Sequence, residues 1–314
     1  MKKLTINNVQ LTIKVCLRYL LIFGILLFGL STTAFAAEYD GVFFMGFNTH
    51  KDIFEVREVR QAFNYAINRE YIATEIASAE VAPTGVIPPG MLGYDEVLAG
   101  YPRDIKKAKQ LMKEAGFPMN DDRIKNISLL HTDGVKTRKM AQRIKEDLAD
   151  IGVKVRLKEV DYADQEYWTS ELESGRHHLF LMGYKASALD AIYIGDKLMK
   201  VFHAVTCPEL PPADRQQFLY SYEGAVVSGY RPCDVCKPQP ERQPTTIDLL
   251  NPLFHTGGSA NLTYYHNRKV DNLLDEAAGI DPTLTSALRP KYEEINSILQ
   301  NDSITVNLFY IEKL

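Results

Sequence analysis

The hydrophobic and polar positions along the chain follow two periods, one typical of helices and one typical of strands. An apolar run predicts a buried strand over residues 40–48, and apolar positions every three to four residues predict a helix over 55–78. Proline and glycine are frequent in 83–101, which indicates a loop. Asp104 is a suitable N-cap for the next helix, which Gly116 is expected to end.

The middle of the chain alternates strand and helix. We predict strands over residues 126–131, 153–158 and 178–184. Between them we predict a helix over 135–151 and a second helix that is opened by Asp161 or Asp164 and runs to residue 173. Strands that are joined through helices by short links run parallel and carry the helices on their faces. The predicted fold class is therefore α/β with a mixed sheet.

The last part of the chain continues this pattern. Helices are predicted over residues 270–278 and 286–299, and the alternation over 304–310 predicts a final strand. The sequence has no internal repeat, and after residue 37 it has no apolar run of membrane-spanning length.

The first 36 residues have the pattern of a cleavable signal peptide. Four basic residues precede or border the apolar stretch 19–30, and Ala34-Phe35-Ala36 fits the small-x-small cleavage rule, so we expect the mature protein to begin at Ala37. An uncleaved anchor is the alternative, because residues 19–37 carry no charge. With cleavage, the protein is expected to be periplasmic.

The charge balance argues against a nucleic-acid partner. The formal net charge is −4, and removal of the basic signal segment makes it more negative. Residues 191–238 carry five acidic and five basic side chains, whereas nucleic-acid binding normally requires a concentrated positive face.

Candidate chemistry is concentrated in residues 191–238, which contain three of the four cysteines. His203 lies four residues before Cys207, and Cys233 and Cys236 form a C-x-x-C pair. Two close ligand pairs joined by a longer loop are typical of a tetrahedral zinc site with four protein ligands. We therefore predict a structural Zn²⁺ bound by these four residues.

Two other interpretations of the cysteines remain open. Cys233 and Cys236 could form a disulfide in an oxidising compartment, or act as a redox pair. A redox C-x-x-C normally begins a helix after a strand, whereas the prolines at 232 and 238 indicate a turn.

The sequence around the C-x-x-C pair resembles the metal-binding module of the Ada DNA-repair protein. The resemblance lies in GYRPCDVCKP and in the preceding Phe218, Ser221, Glu223 and Ala225. It implies a small zinc-binding α+β module. His203 stands where the Ada module has a methyl-accepting cysteine, so the resemblance implies metal binding without repair activity.

The rest of the chain resembles family 5 of the extracellular solute-binding proteins, which serve peptide and nickel ABC transporters. The resemblance lies in VREVRQAFNYAINREYI, GVIPPG, KVRLKEVDYADQEYW and KYEEINSILQNDSITVNLF. It implies a periplasmic-binding-protein-like lobe of type II, interrupted by the zinc module. The implied organisation is a signal peptide (1–36), the first part of the lobe (37–190), the module (191–238) and the second part of the lobe (239–314).

The sequence also departs from the family pattern. Its members clamp a solute between two lobes, and most of the first lobe has no counterpart here. His178 stands where an acidic residue is expected, so no solute-contacting residue is carried over. Such a lobe would bind a peptide or other small solute weakly unless a second chain completes it.

The remaining polar residues do not predict an active site. The sequence lacks G-x-S-x-G, P-loop and H-E-x-x-H motifs. His177 and His178 are adjacent on a strand and would point to opposite faces, and Trp168 is expected in the core. We therefore interpret the chain as a non-enzymatic, exported solute-binding component with an ABC permease as partner. The alternative is an interaction protein in which the zinc module contacts another macromolecule and the lobe serves as scaffold.

Overall fold

The computed structural model describes five ranges of the chain, which are residues 39–79, 83–119, 121–186, 193–240 and 243–313. The signal peptide predicted over residues 1–36 lies outside them. Within these ranges every helix is too short or too polar to cross a bilayer.

A five-stranded mixed sheet forms the centre of the larger part of the described chain. Its strands are β1 (Tyr39–Phe47), β2 (Ile127–Thr132), β3 (Val155–Val160), β4 (Leu179–Lys185) and β9 (Thr305–Glu312), in the order β3-β2-β4-β1-β9. β2 pairs parallel with β3 and β4, whereas β1 pairs antiparallel with β4 and β9. The parallel members are the ones predicted from the strand–helix alternation.

Helices cover this sheet and bury its apolar side chains. They are α1 (Asp52–Glu55), α2 (Arg57–Ala66), α3 (Arg69–Tyr71, continued by a π-helix over Ile72–Ala77), α4 (Ile105–Glu114), α5 (Val135–Ala149), α6 (Gln165–Glu173), α8 (Thr246–Phe254), α9 (Arg268–Ala278) and α10 (Thr285–Asp302). The core between sheet and helices includes the fully buried Phe63, Leu129, Ile144 and Val306.

Predicted caps set the ends of several helices. The Asp104 side chain accepts a hydrogen bond from the Lys107 backbone N–H at 2.9 Å at the start of α4, and Asp164 does the same for Tyr167 at the start of α6. Gly116 follows α4 with φ +81°, a conformation in which glycine is favoured because it lacks a Cβ.

The helix predicted over residues 55–78 is instead divided. Ile67 has an extended backbone (φ −75°, ψ 126°), which ends α2. Asn68 then accepts a hydrogen bond from the Tyr71 backbone N–H and caps α3. The division has a local cause, because a capping side chain offers the backbone an alternative to a continuous helix.

A second, four-stranded sheet is formed by residues 193–232. Its strands are β5 (Tyr193–Asp196), β6 (Val201–Ala204), β7 (Gln216–Leu219) and β8 (Arg231–Pro232), in the order β7-β5-β6-β8. One short helix, α7 (Tyr222–Val227), precedes β8. The apolar cluster here is small, with Tyr193, Phe202, Leu219, Ala225 and Tyr230 buried together.

The chain leaves for the second sheet and returns from it at the same end of the five-stranded sheet. Gly41 of β1 is paired with Lys185 of β4, and Tyr39 is paired with Glu312 of β9. The Ala186 backbone N–H donates to the Asp40 carbonyl at 2.7 Å, just before the chain leaves for β5. Where the chain returns, Lys313 Nζ donates to Gln243 Oε1 at 2.9 Å. Ala186 and Gln243, the described residues on either side of 187–242, therefore both adjoin this end of the five-stranded sheet. We call these two positions the roots of the segment.

Candidate functional site

The register of the second sheet brings His203 to the C-x-x-C pair. His203 lies on β6, and β6 runs parallel to β8, which ends at the residue before Cys233. The register pairs Phe202 with Pro232, and the Cys233 backbone N–H donates to the Phe202 carbonyl at 2.9 Å, so Cys233 lies opposite His203. The pairing of the two strands thus joins sequence positions that are about 30 residues apart.

Each of the two ligand pairs is closed by a tight turn. After β6 the chain turns back, and the Cys207 backbone N–H donates to the Ala204 carbonyl at 2.9 Å. After Cys233 the Lys237 backbone N–H donates to the Cys233 carbonyl at 2.9 Å, with Lys237 in the left-handed region at φ +44°. These turns hold the side chains of each pair on the same side of the loop that carries them.

The four predicted ligands form one cluster. One ring nitrogen of His203 and the three sulfur atoms all lie within 4.8 Å of one another. His203 Nδ1 is 3.3 Å from Cys207 Sγ. A tetrahedron with Zn–S bonds of about 2.3 Å has sulfur–sulfur edges of about 3.8 Å, so the cluster has the size that such an ion requires.

The cluster is buried, and its cysteines are free thiols. His203, Cys207 and Cys233 are at most 7% exposed, and Cys236 is half-buried. None of these three cysteines of the described chain is in a disulfide. Because four protein side chains fill the four positions of a tetrahedron, this donor set suits a structural ion and leaves no site for a reacting water.

The surroundings favour the metal-ligating forms of His203 and Cys233 and oppose that of Cys236. Burial lowers the pKa of His203 and so favours the neutral imidazole, the form that binds metals. Burial alone would raise the pKa of Cys233, but backbone N–H groups of Cys236 and Val235 and the neighbouring thiols bring it below its usual value. Burial and the neighbouring thiols raise the pKa of Cys236 to about 11. The Glu209 backbone N–H donates to Cys207 Sγ at 3.4 Å and so stabilises negative charge on this sulfur.

The four predicted ligands lie on one face of the small sheet, and the apolar cluster around Phe202 lies on the other. Strand residues alternate between faces, so His203 and its neighbour Phe202 point in opposite directions. Phe202 packs with α7 residues, whereas Val201 packs with Cys207 and Cys233. One face of this sheet is thus covered by a helix and the other by the four predicted ligands.

The other histidines singled out in the sequence do not join a metal cluster in the described chain. His177 is 3% exposed and packs edge-to-face on Phe180, with ring centroids 5.3 Å apart. His178 Nδ1 is 2.9 Å from Ser128 Oγ. Trp168 is buried on α6, as predicted.

A cavity of about 650 Å³ lies near the sheet end that carries both roots. Its wall is mixed, with the charged groups of Asp40 and Lys313 and the apolar side chains of Leu92, Ile280 and Leu288. Sequence reasoning missed this cavity because its wall comes from five separate segments. The one available signal was the Pro- and Gly-rich stretch 83–101, which contributes Gly90, Met91 and Leu92.

Comparison with known families identifies a match over more than half of the chain. The family model "Bacterial extracellular solute-binding proteins, family 5 Middle" matches residues 29–199. The match ends before His203, so the candidate metal ligands lie outside it.

Curated relatives match part of the chain in sequence. Heme-binding protein A of Haemophilus influenzae is 34% identical over 125 residues, which are 39% of this chain and 23% of that protein. The dipeptide-binding protein of Escherichia coli is 31% identical over 143 residues, which are 45% of this chain and 26% of that protein. The matched stretch thus spans about a quarter of these relatives' length.

Solved structures show the same fold over most of the chain. HbpA2 from Haemophilus parasuis has a TM-score of 0.61 at 21% identity, with 88% of this chain and 43% of that chain covered. The murein tripeptide binding protein MppA of Escherichia coli has a TM-score of 0.60 at 15% identity, again with 88% and 43% covered. The predicted α/β periplasmic-binding-protein-like fold with a mixed sheet is therefore confirmed.

Proposed function

Because the chain belongs to family 5 of the bacterial extracellular solute-binding proteins, we propose that it is an exported solute-binding component of a peptide-type ABC transport system. The family consists of non-catalytic binding proteins, in agreement with the non-enzymatic interpretation of the sequence. The proposed site of action is the periplasm, and the proposed partners are an ABC permease and a chain that completes the binding cleft.

The cavity at the root end of the five-stranded sheet carries this proposal. Its volume of about 650 Å³ lies in the range of pockets for small molecules. The Asp40 carboxylate, which is also ion-paired with Lys185 Nζ at 3.2 Å, and the Lys313 ammonium provide opposite charges. Leu92, Ile280 and Leu288 provide apolar contacts. A short peptide offers a charged amino end, a charged carboxyl end and apolar side chains, which are the chemical groups this wall can contact.

A ligand screen by thermal unfolding tests solute binding. The purified protein is heated with dipeptides, tripeptides, glutathione or haem, the solutes named for its relatives. A ligand at a hundred times its dissociation constant adds about 2.7 kcal/mol to the unfolding free energy and so raises the melting temperature. If none of these solutes shifts the melting temperature at millimolar concentration, the proposal fails.

A pair of alanine variants localises such binding to the cavity. Ala278 lines the cavity at the end of α9, whereas Ala287 lies in the first turns of α10 and is exposed outside it. Ala278→Trp fills the cavity and should abolish the ligand-induced shift. Ala287→Trp should preserve it. Equal shifts in the two variants would place the solute elsewhere.

Residues 191–238 are, in this proposal, a zinc-binding module with His203, Cys207, Cys233 and Cys236 as ligands. The buried cluster of four donor atoms within 4.8 Å supports this assignment. The proposed role of the ion is structural. The apolar cluster is too small to stabilise the small sheet alone, and bound zinc would supply the missing folding free energy. The resemblance of GYRPCDVCKP to the Ada module agrees with this role. His203 replaces the methyl-accepting cysteine of that module and so excludes methyl transfer.

Metal analysis tests the zinc assignment. The wild-type protein should carry one zinc ion per chain, and His203→Ala should lose it while the exposed His266→Ala retains it. Replacement by Co²⁺ should give sulfur-to-cobalt charge-transfer absorption, which a disulfide between Cys233 and Cys236 would prevent. A metal-free wild type with one fewer pair of titratable thiols would favour the disulfide.

A further inference from the structure

Exposed apolar side chains are concentrated in the small sheet and at its turns. At the turn of residues 197–200, which joins β5 to β6, Leu198 is 71% and Met199 is 60% exposed. Exposed Lys197 and Lys200 flank them on either side. A tight β-turn normally carries polar residues at its tip, whereas Leu198 and Met199 are left largely uncovered by the part of the chain that the structure describes.

The turn is held in one conformation before any partner binds. The Asp196 carboxylate accepts hydrogen bonds from the backbone N–H groups of Leu198 and Met199 at 2.9 and 3.0 Å. Arg215 Nε donates to the same carboxylate at 3.1 Å and neutralises it. Lys200 adopts φ +53°, and its ammonium lies 4.4 Å from the centre of the Tyr230 ring. The tip therefore needs little ordering to dock, and its acidic residue does not oppose an anionic surface.

More apolar and basic groups lie at the same end of the small sheet. The Arg231 backbone N–H donates to the Lys200 carbonyl at 2.9 Å, so the start of β8 adjoins the turn. Helix α7 ends just before it with Val226 and Val227, which are 47% and 81% exposed. This end thus presents four apolar side chains beside Lys197, Lys200 and Arg231, of which Arg231 is also paired with Asp234 at 3.2 Å, although the whole segment 191–238 is balanced in charge.

We propose that the turn of residues 197–200 docks the protein onto an anionic lipid surface. Leu198 and Met199 enter the boundary between headgroups and acyl chains, and the lysines reach back to the headgroup phosphates. Charge complementarity selects lipid, because flanking cations match a phosphate-covered plane on both sides of the tip. A stable protein–protein interface buries about 1,200–2,000 Å² in total, which is more than one four-residue turn provides.

Vesicle sedimentation of the zinc-loaded protein tests this surface. The wild type should sediment with phosphatidylglycerol vesicles, bind phosphatidylcholine vesicles weakly, and dissociate from phosphatidylglycerol in high salt. Leu198→Ser combined with Met199→Ser should reduce the partition coefficient by about tenfold, because two apolar side chains no longer leave water. Lys197→Gln should reduce it roughly fivefold, the effect of one basic residue near an anionic surface.

Two control variants and measurements of DNA binding and dimerisation complete the test. Val97→Ser and Lys106→Gln change an 84% exposed valine and an exposed lysine on the lobe, and both should bind vesicles like the wild type. Loss of vesicle binding in these controls, or equal binding by the turn variants and the wild type, overturns the proposal. So does tight binding of a DNA duplex that depends on Lys197, or a dimer that dissociates in the Leu198→Ser, Met199→Ser variant.

Discussion

The backbone N–H of Cys233 donates to the carbonyl of Phe202, and this one contact aligns the C-x-x-C loop with the strand that carries His203. Phe202 itself points away from the four predicted ligands and fills the opposite face of the small sheet. The two faces of this sheet are therefore linked through adjacent residues of β6. Loss of one face should weaken the other.

Removal of the ion should unfold residues 193–240 while the five-stranded lobe stays folded. The small sheet has few buried apolar residues, whereas the core of the lobe is extensive. Limited proteolysis after treatment with a strong chelator should cut within residues 193–240 and leave a resistant lobe. The control is the same digestion after zinc is restored. Unchanged resistance of residues 193–240 in the chelated protein would show that the metal does not support them.

Phe202→Ala should weaken zinc binding although Phe202 is not a ligand. Phe202 is fully buried and packs edge-to-face on Tyr193 and Tyr222, with ring centroids 5.3 and 5.1 Å apart. Loss of such a side chain costs about 3–5 kcal/mol of folding free energy. Competition with a chromophoric chelator should therefore show faster and more complete loss of zinc than in the wild type. Phe218→Ala, at a 60% exposed phenylalanine of the same sheet, is the control and should retain wild-type zinc affinity.

Gly46→Ala should destabilise the five-stranded sheet. Gly46 is paired with Phe180 across β1 and β4, and a Cβ at Gly46 would lie 2.2 Å from the Phe180 ring. The ring must move within a fully buried site, at a cost of about 1–3 kcal/mol. Denaturant unfolding measures this loss. Gly46→Ala combined with Phe180→Leu should be less destabilised than the sum of the two single variants, since the leucine leaves room for the new methyl group.

Stability of the lobe should fall between about pH 6.5 and pH 4 because of His177. Burial lowers the pKa of His177 to about 4, against about 6.5 in an unfolded chain. The unfolded state then binds a proton that the folded state does not, so stability is lost as the pH falls through this window. His177→Phe should remove that part of the pH dependence in thermal unfolding experiments. An unchanged slope in His177→Phe would contradict the assignment.

The sequence was most informative where local chemistry determines the structure. Asp104 and Asp164 cap their helices as predicted, because a carboxylate accepts backbone N–H groups that the first turn leaves unpaired. The convergence of His203, Cys207, Cys233 and Cys236 could likewise be anticipated, since each close pair is closed by its own short turn, whereas zinc binding stays a prediction. Periodicity failed at Ile67, where the apolar pattern continues but the capping side chain of Asn68 starts a new helix.

Features that depend on distant segments could not be predicted in this way. Helix α8 was missed because Pro252 lies within it and normally indicates a break. The cavity brings Asp40, Leu92, Thr246, Leu288 and Lys313 together from segments that share no local pattern. The pairing of β6 with β8, on which the metal cluster depends, is also a long-range choice that short spacings do not specify.

The convergence of both roots on one sheet end has a consequence for protein engineering. Ala186 is held by Asp40 of β1, and Gln243 is held by Lys313 just after β9, the strand beside β1. β4 and β9 lie on either side of β1, about 10 Å apart at a spacing of about 4.8 Å per strand, so a linker of several residues could join the two roots. Another domain, such as a fluorescent or catalytic one, could therefore be inserted into the lobe in place of residues 187–242. Its signal would then report on ligands that occupy the neighbouring cavity.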